Sequence, residues 1–364
     1  MKLLYITNGI NGSGGLERVL SIKASYLVEK LNYEVHIMSL NNSNLNLFYH
    51  FHPAINLHSI PVHGNPIQYS KRYISGIKST IKKVNPTIII VCDDGLKAFF
   101  LPSILGKSIP IIYERHVSKN IEIGKNFGIW KLMLTKLKMK TMDVLASSFT
   151  KFIVLTEQNT KEWKLKNLQI IPNPLPFYPQ ESASLLNKKV ISVGKQSYQK
   201  GYDLLLQSWQ KVHLKNPTWQ LEIYGKLDAS QGLEGLAMSL GIDKSILFFE
   251  PEKNIISNYL DSSIYVMSSR FEGFGMVLIE AMSCGVPCIS FDCPYGPSDI
   301  IKNEIDGFLV ENGNFDALAD TINLLIYNSD LRTQMGKNAK ENAKRYLPEN
   351  IMYQWDELFK LVGN

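Results

Sequence analysis

The chain has 364 residues, 45% of them hydrophobic and 20% charged, with a formal net charge of +6 at pH 7. That composition suits a soluble globular protein, and the length suits two domains better than one core. No apolar run reaches the roughly 18 residues of a membrane span, and Met1-Lys2-Leu3-Leu4-Tyr5-Ile6 reads as a first strand, not a secretory leader.

Four cysteines, Cys92, Cys284, Cys288 and Cys293, make no disulfide framework, and the clustered three fit no common zinc spacing. Buried thiols in a reducing compartment are expected. Charge is uneven: residues 1–175 hold 22 Lys+Arg against 10 Asp+Glu, the remainder 17 against 23. The first half suits an anionic surface, although phosphate-binding proteins are often basic for that reason alone.

Lys2 to Thr7 reads as a buried strand, and residues 8–15, ending Gly12-Ser13-Gly14-Gly15, as its loop. A helix follows with Leu16, Val19, Leu20, Ala24, Leu27 and Leu31 on one stripe. Such a loop is a common phosphate site. It is not a dinucleotide fingerprint, because Glu17 stands in place of the third glycine. Nor does the second strand, Val35 to Met38, lead to an acid for an adenosine ribose. Both absences count against a nicotinamide enzyme. Residues 41–70 read as polar and turn-rich, and His50 and His52 lack the neighbours a metal site needs. Thr87 to Val91 is the next strand. Asp93-Asp94-Gly95 follows it, and the acids are expected to cap the helix before Leu96. Ile109 to Tyr113 closes on Glu114-Arg115-His116, which puts a histidine where open α/β sheets hold ligands.

Between Lys119 and Lys151, the lysines at 119, 125, 131, 136, 138, 140 and 151 interleave with Trp130, Leu132, Met133, Leu134, Leu137 and Met139. The segment reads as a basic amphipathic helix for an anionic bilayer, or as a core-facing helix with a solvated lysine face. Strands at Lys151 to Leu155 and Gln169 to Ile171 precede a proline-rich connector. Its stiffness puts the domain boundary at about 175–187.

The pattern then begins again. Val190 to Val193 is a strand, Lys195 and Lys200 bracket its loop, and Leu205, Trp209 and Val212 share a helix face. Strands follow at Leu221 to Tyr224, Ile246 to Phe249 and Ile264 to Met267. Next come Glu272, a Gly273-Phe274-Gly275 turn, and an apolar helix from about Met276 to Met282 carrying Glu280. Were the whole span helical, the two carboxylates would stand roughly 12 Å apart. The glycines let backbone N–H groups approach a phosphate at a positive helix end, two lysines can hold a diphosphate, and carboxylates accept sugar hydroxyls. Cys288 to Phe291 and Gly307 to Val310 read as strands. A helix starting at Asp299, helices near 316–326 and 331–345, and an amphipathic segment at 346–361 complete the chain.

Glu-Gly-Phe-Gly, Glu-Ala-Met and Gly-Val-Pro, within 272–287, resemble the E-x7-E signature of the family 4 retaining glycosyltransferases. Gly14, Gly15 and Glu17 resemble that family's N-terminal loop. The resemblance runs along nearly the whole chain and implies the GT-B fold, two facing Rossmann-like α/β domains with a cleft between them. Residues 1–175 would bind the acceptor and 176–345 the nucleotide sugar, with 346–364 a helix crossing back to the first domain. The implied reaction moves a hexose or N-acetylhexosamine from a nucleotide-diphosphate sugar, UDP-linked by preference, to a hydroxyl of a glycan or lipid-linked glycan in capsule, O-antigen or exopolysaccharide synthesis.

By the same resemblance, Glu272, His116 and Lys200 serve catalysis, and Glu17 and His116 the acceptor. Gly14, Gly15, Lys195, Lys200, Glu272, Gly273, Phe274, Gly275 and Glu280 hold the donor. The family usually has Arg where Lys195 stands, which costs a bidentate fork, and Glu250-Pro251 replaces a glycine facing the base. No metal or other cofactor is expected, since lysines supply fixed cations, and no nucleic acid partner. No nucleophile stands out, so retention is implied through same-face attack. The expected location is the cytoplasm, peripheral on the inner face of the plasma membrane through Lys119–Lys151. A nucleotide-sugar 2-epimerase of the same fold and a catalytically silent sugar-binding protein are the alternatives.

Overall fold

The computed structural model describes residues 1–42, 46–119 and 129–363. The chain divides into two compact units, Met1–Pro176 with Pro348–Asn364, and Phe177–Leu347.

The first unit contains β1 (Lys2–Thr7), α1 (Gly15–Glu29), β2 (Glu34–Leu40), β3 (Asn56–Ile60), α2 (Pro66–Val84), β4 (Ile88–Cys92), α3 (Leu96–Phe99), α4 (Leu101–Leu105), β5 (Ile111–Glu114), α5 (Ile129–Ala146), β6 (Lys151–Val154) and β7 (Leu168–Ile170). Its strands form one parallel sheet in the order β3-β2-β1-β4-β5-β6-β7. Leu3 to Ile6 and Ile88 to Val91 are buried throughout. Helices on both faces of a parallel sheet leave no wet side, so these strands are continuous apolar runs. An aromatic cluster of Phe99, Tyr113, Phe149, Phe152 and Trp163 fills the space beside β5 and β6.

Residues 46–70 depart from the expected run of turns. Asn56 to Ile60 pairs with β2 as the edge strand, half-exposed and without an apolar run to announce it. Asn65 caps α2 by accepting the Gln68 N–H at 3.0 Å, with Pro66 at the first helical position. The acids after β4 also behave differently from expectation. Gly95 occupies the N-cap of α3 without side-chain help. Asp93 Oδ1 instead accepts from the Gly95 N–H and from Asn8 Nδ2, both at 2.8 Å. The acid therefore ties the β4 turn to the β1 loop and caps no helix.

The second unit repeats the design with β8 (Lys189–Val193), α6 (Tyr202–Lys215), β9 (Gln220–Tyr224), α7 (Leu233–Ser239), β10 (Ile246–Phe249), α8 (Ile255–Leu260), β11 (Ile264–Met267), α9 (Met276–Ser283), β12 (Cys288–Phe291), α10 (Pro297–Ile300), β13 (Gly307–Val310), α11 (Phe315–Tyr327) and α12 (Ser329–Ala343). The parallel order is β10-β9-β8-β11-β12-β13. Helix α10 begins at Pro297, two residues before the expected Asp299. Trp209 anchors this core, fully buried, with its indole N–H donated to Ser245 Oγ at 3.1 Å.

The chain then returns to the first unit as α13 (Pro348–Gly363), which packs on α1 and β4. Trp355 and Phe359 are buried, and Tyr33 donates to Asp356 at 2.6 Å.

Both sheets reverse strand order beside their first strand, between β1 and β4 and between β8 and β11. At such a switch point the two flanking loops diverge and leave a crevice at the C-terminal edge. The loops that follow those four strands hold Gly14, Gly15, Asp93, Asp94, Lys195, Lys200 and Glu272. No helix of the described residues is long and apolar enough to cross a membrane.

Candidate active site

In the second unit, the loops after β8 and β11 are fastened to each other. Arg270 N–H donates to Gln199 O at 2.8 Å, Gln199 Nε2 to Phe271 O at 3.1 Å, and Ser268 Oγ to Lys200 O at 2.9 Å. The Arg270 guanidinium grips Asp203 at the start of α6 with two parallel bonds of 2.8 and 2.6 Å and also reaches Tyr198 O. Gly201 makes the approach feasible. It has φ +63°, and a Cβ there would lie 2.1 Å from Ser268 O.

This fastening brings Lys200 Nζ to 2.7 Å from Glu272 Oε1, with both side chains mostly buried. The Glu272 backbone is itself fixed, donating to Pro294 O at 2.7 Å and accepting from the Tyr295 N–H at 3.1 Å. Lys195, on the same loop as Lys200, is exposed. The span from Glu272 to Glu280 is helical only from Met276, because Gly275 at φ +103° turns the chain into α9, and no side chain caps that helix. Phe274 is buried edge-on against Tyr346, so its backbone is what it can offer a ligand. Glu280 is also buried, and Tyr259 donates to its Oε2 at 3.2 Å.

In the first unit, Gly14 caps α1 in an extended conformation. The Glu17 carboxylate folds back against the loop: a Cβ on Gly12 or Gly14 would lie 2.5 or 2.6 Å from it. His116 follows β5 with its ring buried. Its Nε2 lies 3.2 Å from Glu114 Oε1, an ion-pair distance without hydrogen-bond alignment. Its backbone N–H donates to Asp94 Oδ1 at 3.4 Å.

Residues that sequence patterns did not single out surround this histidine. Lys23 Nζ lies 2.5 Å from Glu114 Oε1, and Cys92 Sγ donates to Glu114 Oε2 at 3.3 Å. Burial alone would raise the Glu114 pKa, but Lys23 first, and then His116, hold it well below the usual carboxylate range. One signal was available: Lys23 lies on the apolar stripe of α1, between Leu20 and Leu27. Cys92 and Glu114 end adjacent strands, and only the register brings them together.

The donor atoms of Cys92, Glu114 and His116 all lie within 4.8 Å of one another. Their chemistry does not suit a metal ion. The Lys23 ammonium already neutralises Glu114, and burial, followed by the Glu114 charge, pushes the Cys92 thiol up, away from the thiolate that a metal requires. All four cysteines are free and buried. A cavity of about 290 Å³ beside Ile81, Ile89, Ile104 and Ile111 lies at the opposite, N-terminal edge of the sheet and includes none of these groups.

Of the lysine-rich segment, residues 129–146 form α5; Lys125 lies outside the described residues. Met142 and Ala146 are buried, while Trp130, Met133, Leu134 and Leu137 are exposed. Those four recur at i, i+3, i+4 and i+7, so they make one outward apolar stripe. By the same period, Lys131 and Lys138 fall on one flank of the stripe, and Lys136 and Lys140 on the other.

Two parallel, doubly wound units of this kind make the GT-B fold of glycosyltransferases. The structure of Anabaena HepE in complex with UDP and glucose matches with a TM-score of 0.80 over 99% of both chains, at 18% identity. The family model for glycosyl transferases group 1 matches residues 179–342. The amylovoran biosynthesis glycosyltransferase AmsD of Erwinia amylovora is 30% identical, covering 98% of this chain and 99% of its own. An uncharacterised glycosyltransferase of Haemophilus influenzae is 29% identical over 97% of this chain and 98% of its own. The chain belongs to the group 1 glycosyltransferases and is a transferase.

The Gly201 clamp is directly testable. Gly201→Ala adds a methyl group at positive φ and against a carbonyl oxygen, so the two loops must separate. The expected result is a loss of about 1–3 kcal/mol in urea unfolding together with a fall in turnover. Unchanged stability and rate would show that the loops do not depend on this contact.

Proposed function

We propose that the protein is a family 4 retaining glycosyltransferase that transfers a hexose or N-acetylhexosamine from a UDP-linked sugar to a hydroxyl of a glycan or lipid-linked glycan. The observation that carries the proposal is the Lys200–Glu272 pair at the switch point of the second sheet, directly ahead of the helix bearing Glu280. In glycosyl transfer, the bond from the sugar C1 to the phosphate oxygen breaks and negative charge grows on the departing diphosphate. Fixed cations and backbone donors at that position lower the barrier.

The Lys200 ammonium has three donors, so one on Glu272 leaves others for phosphate oxygens. Lys195 adds a second charge. The N–H groups of Gly273, Phe274 and Gly275, and those of Gly14 and Gly15 at the start of α1, serve as further donors. Glu272 Oε2 is an acceptor for a sugar hydroxyl, and Glu280 for the ribose. Glu17 and His116 serve the acceptor. The new bond from the acceptor oxygen to C1 forms on the face the phosphate leaves, and the phosphate takes the acceptor proton. No metal is assigned to these steps, because the lysines supply the positive charge. The full-length similarity to the amylovoran enzyme supports an acceptor in polysaccharide synthesis, whether capsule, O-antigen or exopolysaccharide. The fold shared with a UDP-bound neighbour supports the choice of donor.

The outward apolar stripe of α5 favours a peripheral position on the inner face of the plasma membrane. Four exposed apolar side chains flanked by four lysines combine insertion with attraction to anionic headgroups.

Release of free nucleoside diphosphate tests the site. Glu272→Ala is expected to lower turnover with the fold retained. Glu280→Ala is expected to weaken nucleotide binding by about 10- to 100-fold, the range for a hydrogen bond to a charged group. Wild-type behaviour in both variants would refute the assignment. Activity is expected to survive EDTA, and loss reversed only by manganese or magnesium would overturn the cation role of the lysines. In liposome flotation, binding is expected to need anionic lipid and to fade with salt. Gln at 131, 136, 138 and 140 should abolish it while sparing donor hydrolysis. A wild type that stays unbound at low salt would remove the membrane role from α5.

A further inference from the structure

We infer that Lys23 is a positioning residue for His116, acting through Glu114 and held in turn by Trp355 of α13. The inference takes His116 as the acceptor-side residue proposed above.

Lys23 lies where the α1 stripe calls for an apolar side chain. It is 1% exposed and Glu114 is 2% exposed, so neither charge meets water. A lone buried ammonium or carboxylate would be costly there, and each is tolerable only because of the other. The Lys23 Nζ also lies 3.5 Å from the centroid of the Trp355 ring, the geometry of a cation–π contact with the best aromatic partner. The ammonium is thus held between a ring on one element and a carboxylate on another.

Glu114 passes that constraint on. Lys23 occupies Oε1 and Cys92 Oε2, so the carboxylate has no freedom to rotate. His116 Nε2 faces Oε1 at 3.2 Å. The pair is not aligned for a hydrogen bond, so the fixed anion acts on the imidazole by charge and close contact at its Nε2 side. An imidazole that must meet a hydroxyl needs one ring orientation, and an outer carboxylate is a common way to set it.

Stability alone is a poor reason for such a pair. Replacing a buried ion pair with neutral groups of similar size often leaves stability unchanged or raises it, whereas removing one partner destabilises strongly. That contrast gives the test. Lys23→Met/Glu114→Gln removes both charges and leaves no unpaired one. Rates are read as nucleoside diphosphate release from whichever UDP-, GDP- or ADP-sugar the wild type turns over fastest, with His116→Ala measured alongside.

The double variant is expected to melt close to the wild type, with kcat about 10- to 100-fold lower and KM for the nucleotide sugar unchanged. A folded double variant with wild-type kcat, or one altered only in KM, overturns the inference. If that variant misfolds, Trp355→Leu replaces it. It frees the lysine from the ring, and it too should lower kcat without moving KM; wild-type kcat there overturns the inference. His116→Ala with full activity would remove the role of His116 and the positioning role with it. An impaired His116→Ala beside an active double variant removes the positioning role alone.

Discussion

The second unit depends on one close approach, the backbone of Gly201 against the carbonyl of Ser268. Two loops that follow different strands of a parallel sheet have no ladder to join them. Here they are joined by backbone and side-chain bonds that any intervening Cβ would prevent. The Arg270–Asp203 fork closes the arrangement, and its planar geometry fixes direction as well as distance. Asp203 is 40% exposed, so the fork contributes mainly geometry and only a small part of the stability. Once the loops are fixed, Lys200 and Glu272 must meet.

Two of the ammonium–carboxylate pairs near the sheet edges differ in how far they are sealed from water. Lys200 and Glu272 keep 15% and 9% of their side-chain surface. They can trade part of their mutual contact for a ligand without leaving a charge stranded. Lys23 and Glu114 are sealed, so separating them would strand a charge in low dielectric. The first pair is therefore suited to exchange, the second to holding still. The difference follows from burial alone, because the cost of parting a pair rises as water is excluded from both partners.

The fold was legible wherever burial on two faces forces a continuous apolar run. β1, β4, β8, β11 and β12 are such strands, and their ends were read to within about a residue or two. Edge strand β3 was not legible, because Asn-Leu-His-Ser-Ile at its half-wet edge has neither a continuous apolar run nor a clean apolar–polar alternation. The short helices α7 and α8 were not either, since neighbouring side chains decide a single turn or two more than propensity does. In α5 the lysines and apolar residues were visible. Which apolar stripe faces outward was not, because a helix with apolar residues on two sides gives no preference until one side is packed.

The same contrast separates the candidate residues of the two units. In the second unit the candidate residues lie in two short stretches of chain, Lys195 to Gly201 and Glu272 to Glu280. A strand, a loop and a helix in sequence produce a readable motif, and the glycines that permit it fall at recognisable places. In the first unit the candidate residues and their partners are Glu17, Lys23, Cys92, Asp94, Glu114, His116 and Trp355. Strand register joins Cys92 to Glu114, helix docking brings Trp355 to Lys23, and neither is a property of local sequence. A lysine on the apolar face of α1 was the single local irregularity. Its explanation lies 91 residues further along the chain at Glu114 and more than 300 further along at Trp355. Groups assembled by topology gain rigidity from the whole sheet, and that long-range assembly also keeps them out of any motif.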